Sequence, residues 1–199
     1  MPAAPAAANP NHGPIMTTLK AQWVAVRDKV IPICDLIPED KLDYKPTPEV
    51  RSFKDLIIHI TGEGYTFLGR AGSVPGVTPP TMAELNALTG KAALMKALRD
   101  SYEWQGKLID SLTDAAASEM AAGRGGAPGT TPKWGSIVGL IADNMDHFGN
   151  LVTMVRMNGM VPPNTAAAAA RRGGGGGARG GAPGGAPGAA PAPAPARGQ

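Results

Sequence analysis

The helical pattern of this chain is clearest in SFKDLIIHITGEGYTFL, residues 52–68. Ser52 can accept a hydrogen bond from an amide of the first turn, and Asp55 stands three residues later, in a capping-box position. Apolar and small residues then recur every three or four positions, as on the buried face of a helix. They are Phe53, Leu56, Ile57, Ile60, Gly64, Phe67 and Leu68. The stretch therefore predicts a capped amphipathic helix.

Three more segments have a helical pattern, and none predicts a strand. The first has apolar residues at Leu19, Trp23, Val26, Val30, Ile33 and Ile37. Pro32 predicts a kink or a break near Val30. Another segment runs from about Thr81 to Leu112, with a split expected at Thr89-Gly90. The last has its stripe at Trp134, Ile137, Val138, Ile141, Met145, Phe148, Val152 and Val155. Four amphipathic helices predict an all-α fold, an antiparallel four-helix bundle.

Both ends of the chain have the composition of tails. Residues 1–14 and 164–199 consist largely of Ala, Gly and Pro, and the second stretch contains no Asp or Glu. We expect both to be disordered, which leaves residues 15–163 as one helical domain. The net charge of +3 includes four arginines of the C-terminal tail, so residues 1–163 carry a net charge of −1. The domain lacks the basic face of a nucleic-acid-binding protein, and no nucleic-acid partner is predicted.

Cysteine usage and hydropathy narrow the class of protein further. Cys34 is the single cysteine, so no internal disulfide can form, and its apolar surroundings predict a small buried hydrophobe. No window has the 18 or more apolar residues expected of a membrane span, and the N-terminus does not have the pattern of a signal peptide. We therefore expect a cytoplasmic protein without a membrane partner, or a secreted one if a signal peptide precedes this start site.

Two histidines on different predicted helices are the candidate metal ligands. His59 belongs to the helix described first, and His147 belongs to the last helix, with Asp143 one turn upstream. Side chains four residues apart share one helix face, so Asp143 and His147 can reach the same ion. Two histidines and a carboxylate form an open site of the catalytic type. Glu63, one turn after His59, is a candidate fourth ligand, general base or support for His59, or simply a solvated acid.

Two stretches resemble a known family. LIPEDKLDYKPTPEVRSFKDLIIHITGEGYTFL and, much later, DNMDHFGNLVTMVRMNGMVPP are similar to the DinB-like superfamily, which includes the YfiT-type proteins. The resemblance covers roughly Leu19 to Pro163. It implies a four-helix bundle with one metal-binding histidine on the second helix and an H-x-x-x-H pair on the last. His59 and His147 match the first and third of these histidines, whereas Asp143 stands where the family has the second.

The resemblance also implies a class of function. Members of the superfamily include thiol S-transferases and an isomerase that depends on a small thiol. The resemblance implies a divalent-metal-dependent transferase or hydrolase that activates a thiol or water and acts on a small-molecule substrate. A homodimer is possible. Zn²⁺ is the expected metal, and Ni²⁺, Fe²⁺ and Mn²⁺ remain alternatives. His59, Asp143 and His147 would hold the ion and Glu63 would take part in catalysis. The alternative is a non-catalytic helical bundle whose metal site has decayed.

Overall fold

The computed structural model describes residues 9–123 and 127–173, and the regular structure in these ranges is helical. Seven α-helices are described, together with one 3-10 turn at Glu39–Lys41. The helices are α1 (Pro14–Leu36), α2 (Phe53–Leu68), α3 (Met82–Asn86), α4 (Lys91–Ser111), α5 (Asp114–Ser118), α6 (Lys133–Met157) and α7 (Pro163–Gly173). No strand occurs in the described part of the chain, where Met120 and Pro132 form an isolated β-bridge. The predicted all-α class is therefore confirmed.

The helix α2 begins as its sequence predicts. The backbone amide of Asp55 donates to the Ser52 hydroxyl over 3.0 Å, and the Ser52 amide donates to the Asp55 carboxylate over 3.2 Å. This reciprocal pair satisfies two amides that no helical carbonyl can reach. The predicted apolar face of α2 is buried apart from Phe67, which is half-buried. The cap and the seam together fix where this helix starts and which face it turns inward.

Four long helices enclose the core. Helix α2 packs against α4 and α6, and α1 packs against the same two helices. Their buried side chains form one cluster, whose largest fully buried members include Trp23, Tyr102 and Phe53. Burial of this apolar surface is the main favourable term in the folding of such a domain. None of the described helices is long and apolar enough to cross a membrane.

Helix α1 is continuous, which corrects the expectation of a break near Val30. Pro32 lies within the helix and is exposed, whereas Val30, Ile33 and Cys34 are fully buried. The proline ring is therefore on the solvent side, and core contacts before and after it hold the helix together despite the missing backbone donor. The predicted split between α3 and α4 is present, and Gly90 occupies it with φ of 78°, a conformation that glycine adopts readily.

The buried face of α6 differs from the predicted stripe. Trp134 and Val138 are exposed, and Met145 is half-buried, although the sequence pattern places all three inward. Asn144 and His147 are buried instead. The Asn144 amide donates to the Tyr102 hydroxyl over 3.1 Å, which compensates for its loss of contact with water. The helix is thus rotated so that two polar side chains face its neighbours.

The chain ends also differ from the predicted tails where they are described. The Asn9 side chain donates to the Asp110 carbonyl over 2.8 Å, and His12 Nε2 lies 3.1 Å from the Ile109 carbonyl oxygen. Residues 9–13 are thus held against the end of α4. Pro163–Gly173 forms α7 and packs on α1, because its run of alanines favours a helix. Residues 1–8 and 174–199, which complete the predicted tails, lie outside the described residues.

Candidate metal centre

The helices α2 and α6 run antiparallel where they meet. Phe67, near the end of α2, lies against Gly139 near the start of α6, whereas Glu63 contacts His147 one to two turns further along. A Cβ atom added at Gly139 would come within 3.0 Å of the Phe67 ring, so only glycine allows this closeness without displacement. The close approach brings the polar residues of both helices to one place.

A single carboxylate lies between the two histidines. One oxygen of Glu63, Oε1, is 2.9 Å from His59 Nε2, and the other, Oε2, is 3.1 Å from His147 Nε2. The histidine rings meet edge to face, with centroids 4.7 Å apart. His59 and Glu63 come from one turn of α2, and His147 comes from the facing turn of α6. The site is therefore built across the contact between two helices.

Asp143 occupies the fourth corner of this cluster. Its Oδ2 atom lies 3.3 Å from His147 Nε2 and is buried, yet it has no hydrogen-bond partner among the described residues. The Nδ1 atom of His147 is likewise buried without a partner there. The nearest acid on that side of the ring is Asp146, at 4.0 Å, whose side chain is 78 % exposed. A buried carboxylate oxygen without a donor is costly unless a cation or a proton satisfies it.

Burial differs among the four side chains. The His147 side chain is 8 % exposed, whereas Glu63, His59 and Asp143 are between 21 % and 27 % exposed. The cluster therefore reaches the surface on one side, and a small molecule could approach it from there. His147 is the innermost of the four side chains, and the two carboxylates and His59 lie closer to solvent.

Burial and charge shift two of the pKa values. Loss of solvent raises the pKa of Glu63 to about 8, and the neighbouring Asp143 carboxylate adds to the shift, because it accepts a hydrogen bond only from protonated Glu63 and repels the ionised form. Burial also lowers the pKa of His59, and the electrostatic influence of Arg51 and His147 acts in the same direction, whereas Asp143 opposes it. Both shifts disfavour the charged forms of these two side chains, and a cation bound between them would lower the pKa of Glu63 instead.

The donor set fits a divalent cation. Nitrogen or oxygen atoms of His59, Glu63 and His147 all lie within 4.8 Å of one another. Ligands that are each about 2.0–2.2 Å from one ion can be at most about 4.4 Å apart, so small side-chain movements suffice to bring these three onto an ion. The unpartnered Asp143 oxygen is a further donor beside them. The residues present are therefore suitable for holding a metal ion.

The structure brings together the four residues that the sequence indicates as candidate site residues. His59 and His147 meet as predicted from the two helices, and Asp143 lies beside His147. Its role as a metal ligand stays a prediction. The sequence leaves Glu63 open as a ligand, a base or a solvated acid, yet its atoms, and not those of Asp143, complete the group that surrounds a common point. The i, i+4 pair His59/Glu63 mirrors the pair Asp143/His147, which is the signal that favours Glu63.

Two other features lie apart from the cluster. A groove of about 870 Å³ between α2, α3 and α4 is lined by apolar residues such as Leu85 and Trp104, and by none of the four cluster residues. Cys34 is fully buried, and burial raises the pKa of its thiol to about 12, so it is the small buried hydrophobe that its sequence predicts. Neither feature brings a further donor to the two histidines.

Comparison with known proteins bears on the family. A search of curated proteins finds no match to this chain. The family model described as the DinB family matches residues 10–173, which includes all the long helices and the whole histidine and carboxylate cluster. The chain therefore belongs to the DinB family.

Proposed function

We propose that this protein is a divalent-metal-dependent enzyme whose four long helices form the four-helix bundle that carries the metal site. One observation carries the proposal: the Glu63 carboxylate lies between the Nε2 atoms of His59 and His147, next to a buried Asp143 oxygen that has no donor in the described part of the chain. Metal sites in helical bundles are built in this way, from side chains that project from facing helices.

The residues of the chain would divide the work. His59 and His147 would hold the ion, with Glu63 and Asp143 as oxygen donors beside them. A bound divalent ion would supply Lewis acidity and lower the pKa of a coordinated water or thiol. The partly exposed side chains of His59, Glu63 and Asp143 would leave access for a small substrate, whereas burial would hold His147 in place. We propose a transferase that uses a low-molecular-weight thiol, or a hydrolase that uses water, as the reaction class.

A second candidate function has its own supporting observation. The Glu63 carboxylate contacts both histidines, so the cluster can also serve as a polar network that joins α2 to α6 without metal. In that case the protein would be a non-catalytic helical bundle. The two candidates differ in what an added ion does. A functional metal site is stabilised by ion binding, whereas a purely structural network gains nothing from it.

Metal content and thermal stability distinguish the two. The protein would be purified without a metal-binding tag, stripped with EDTA, and titrated with Zn²⁺, Mn²⁺ or Fe²⁺. We expect about one ion per chain and, at 100 times Kd, a stabilisation of about 2.7 kcal/mol. For a chain of this size that corresponds to a rise in Tm of about 5–11 °C.

Histidine variants supply the controls. His59→Ala and His147→Ala should both lose the ion and the rise in Tm. His12→Ala is the matched control, because His12 contacts the Ile109 carbonyl at the end of α4 and is not part of the cluster. If the wild-type protein binds no ion and EDTA leaves its Tm unchanged, the metalloenzyme proposal is wrong and the structural network remains.

A further inference from the structure

We infer that Glu63 and Asp143 both ligate the ion, so that the site offers two nitrogen and two oxygen donors and is shifted toward Mn²⁺ and Fe²⁺ relative to a site of three histidines. The inference rests on the proposed metal-dependent function and deepens it. It concerns the residues in which this chain differs from the histidine pattern that it resembles, namely Asp143 and the additional acid Glu63.

The position of Glu63 makes it difficult for an ion to avoid this carboxylate. Any ion bound through the Nε2 atoms of both histidines must lie about 2.0–2.1 Å from each of them. The Glu63 oxygens already lie 2.9 Å and 3.1 Å from those same two atoms. An ion between the two Nε2 atoms is thus beside the Glu63 carboxylate. The carboxylate must then either bind the ion or rotate away from it in partly buried surroundings. Binding is favoured because it exchanges the hydrogen bond with His147 and the ion pair with His59 for direct contact with a cation.

The position of Asp143 points the same way. Adjacent ligands on one ion, at bond lengths of about 2.1 Å, are about 3.0–3.4 Å apart. The distance from Asp143 Oδ2 to His147 Nε2 is 3.3 Å. This oxygen is buried and lacks a donor among the residues described, so it already bears the cost of desolvation. A cation beside His147 would satisfy it, and a rotation of the Asp143 side chain would bring it onto the ion that His59, Glu63 and His147 surround.

The charge of the cluster agrees with a divalent ion. Two ionised carboxylates and two neutral imidazoles carry a formal charge of −2, which one divalent cation neutralises. Without a cation, two ionised carboxylates this close to His147 Nε2 would repel each other. In the described part of the chain, the ion pairs of Glu63 and Asp143 are with His59 and His147, and no lysine or arginine is among these partners.

The donor types then bear on metal choice. Carboxylate oxygens suit Mn²⁺, and two histidines with a carboxylate form the set found in non-haem Fe²⁺ sites, whereas imidazole suits Zn²⁺. Zn²⁺ binds more tightly than Mn²⁺ or Fe²⁺ at almost any given site. The informative quantity is therefore the ratio of the Zn²⁺ and Mn²⁺ dissociation constants, compared between variants of this one protein.

The test uses full-length protein stripped with EDTA, with MnCl₂ followed by electron paramagnetic resonance and ZnCl₂ followed by competition against bound Mn²⁺. Glu63→Gln and Asp143→Asn should each weaken Mn²⁺ binding by about tenfold or more, since each loses an anionic donor. Asp143→His should retain Zn²⁺ binding and shift the ratio toward Zn²⁺ by about tenfold or more. Asp28→Asn is the matched control, because it removes an exposed acid that pairs with Arg27 on α1, away from the cluster, and it should change neither constant more than about twofold.

The outcomes are separable from those of the proposed function. Retained Zn²⁺ binding by Asp143→His shows that the fold and the histidines survive, so a loss of Mn²⁺ affinity in that variant reports the donor type. If wild type binds Mn²⁺ but Glu63→Gln and Asp143→Asn bind it equally well, the inference is overturned and the metal-dependent function stands. If wild type binds neither ion, the proposed function fails, and the inference fails with it.

Discussion

Replacement of Gly64 by alanine is expected to destabilise the protein, because the hydrogen atom of this residue faces a buried network of hydrogen bonds. Trp23 Nε1 donates to Gln105 Oε1 over 2.8 Å, and Gln105 Nε2 donates to the Ser101 hydroxyl over 3.1 Å. That hydroxyl donates to the Thr61 carbonyl oxygen over 2.9 Å. The network joins α1, α4 and α2, so a change at one member affects the packing of three helices.

The magnitude follows from what an added Cβ atom would contact. At Gly64 it would overlap Gln105 Nε2 and would lie 2.7 Å from the Ser101 hydroxyl. Overpacking of a core costs about 1–3 kcal/mol. Displacement of Gln105 leaves the buried Trp23 donor without a partner, which costs about 1–3 kcal/mol more. Alanine regains about 1 kcal/mol through its better helix propensity. The net loss in the free energy of unfolding should be about 1–5 kcal/mol.

Gly149→Ala is the matched control. Gly149 lies within α6 and is exposed, and a Cβ atom added there would have nothing within 4 Å. The same substitution should therefore raise stability by up to about 1 kcal/mol. Urea denaturation followed by circular dichroism measures both changes, and equal m-values would show that the two-state comparison holds. If Gly64→Ala is as stable as wild type, or if both variants shift in the same direction, the assigned network does not contribute to stability.

Two smaller perturbations test other parts of the fold. Ser52→Ala removes the cap of α2 and should cost about 1 kcal/mol, measured by urea denaturation at pH 7; an unchanged stability would contradict the cap. Burial alone would raise the pKa of Asp55, but hydrogen bonds with Ser52 and the charge of Lys45 lower it overall. Its contribution should therefore be present above its ordinary value of 3.8 and lost as the pH falls below it, and Ser52→Ala should show a smaller loss in that range. Cys34, whose thiol pKa is raised to about 12 by burial, should react with a thiol reagent only after unfolding, and fast labelling of the native protein would contradict its burial.

The fold of α2 could be predicted from sequence because its signals are local. The capping pair Ser52 and Asp55 is three residues apart, and the apolar seam repeats within the helix itself. Local signals also predict the split between α3 and α4, because Gly90 is a residue at which a helix readily ends or begins. At helix α7 two local signals conflict. Its alanines favour a helix, but the surrounding Gly, Pro and Arg residues have the composition of a disordered tail, so the sequence does not predict this helix.

The rotation of α6 could not be predicted because it depends on partners from other helices. A hydropathy pattern places Trp134 inside and Asn144 outside. In the fold, Tyr102 of α4 accepts the hydrogen bond of Asn144, so this polar side chain is satisfied when buried. Trp134 lies in the first turn of its helix, where fewer neighbouring residues are available to cover it, and 37 % of it is exposed. Contacts that are distant in sequence therefore decide which face is buried.

The same dependence explains why the sequence favours Asp143 over Glu63 as a metal ligand. A spacing of four residues shows which side chains share a helix face, but it does not show which turn of α2 lies opposite which turn of α6. The contact between Gly139 and Phe67 helps to set that register, and it brings Glu63 level with His147. Once the register is known, Glu63 lies closer to both histidines than Asp143 lies to His147.

Two buried polar residues on α6, Asn144 and His147, differ in what their partners require. Asn144 meets a neutral hydroxyl, and its pairing with Tyr102 requires nothing from outside the chain. His147, one turn away, meets two carboxylates, one of which has a buried oxygen without a donor in the described residues. A network that only joined helices would be stabler with one acid fewer, because the second adds repulsion and an unsatisfied atom. That buried oxygen requires a cation, or a proton carried by Glu63, and the proposed metal ion would supply the first of these.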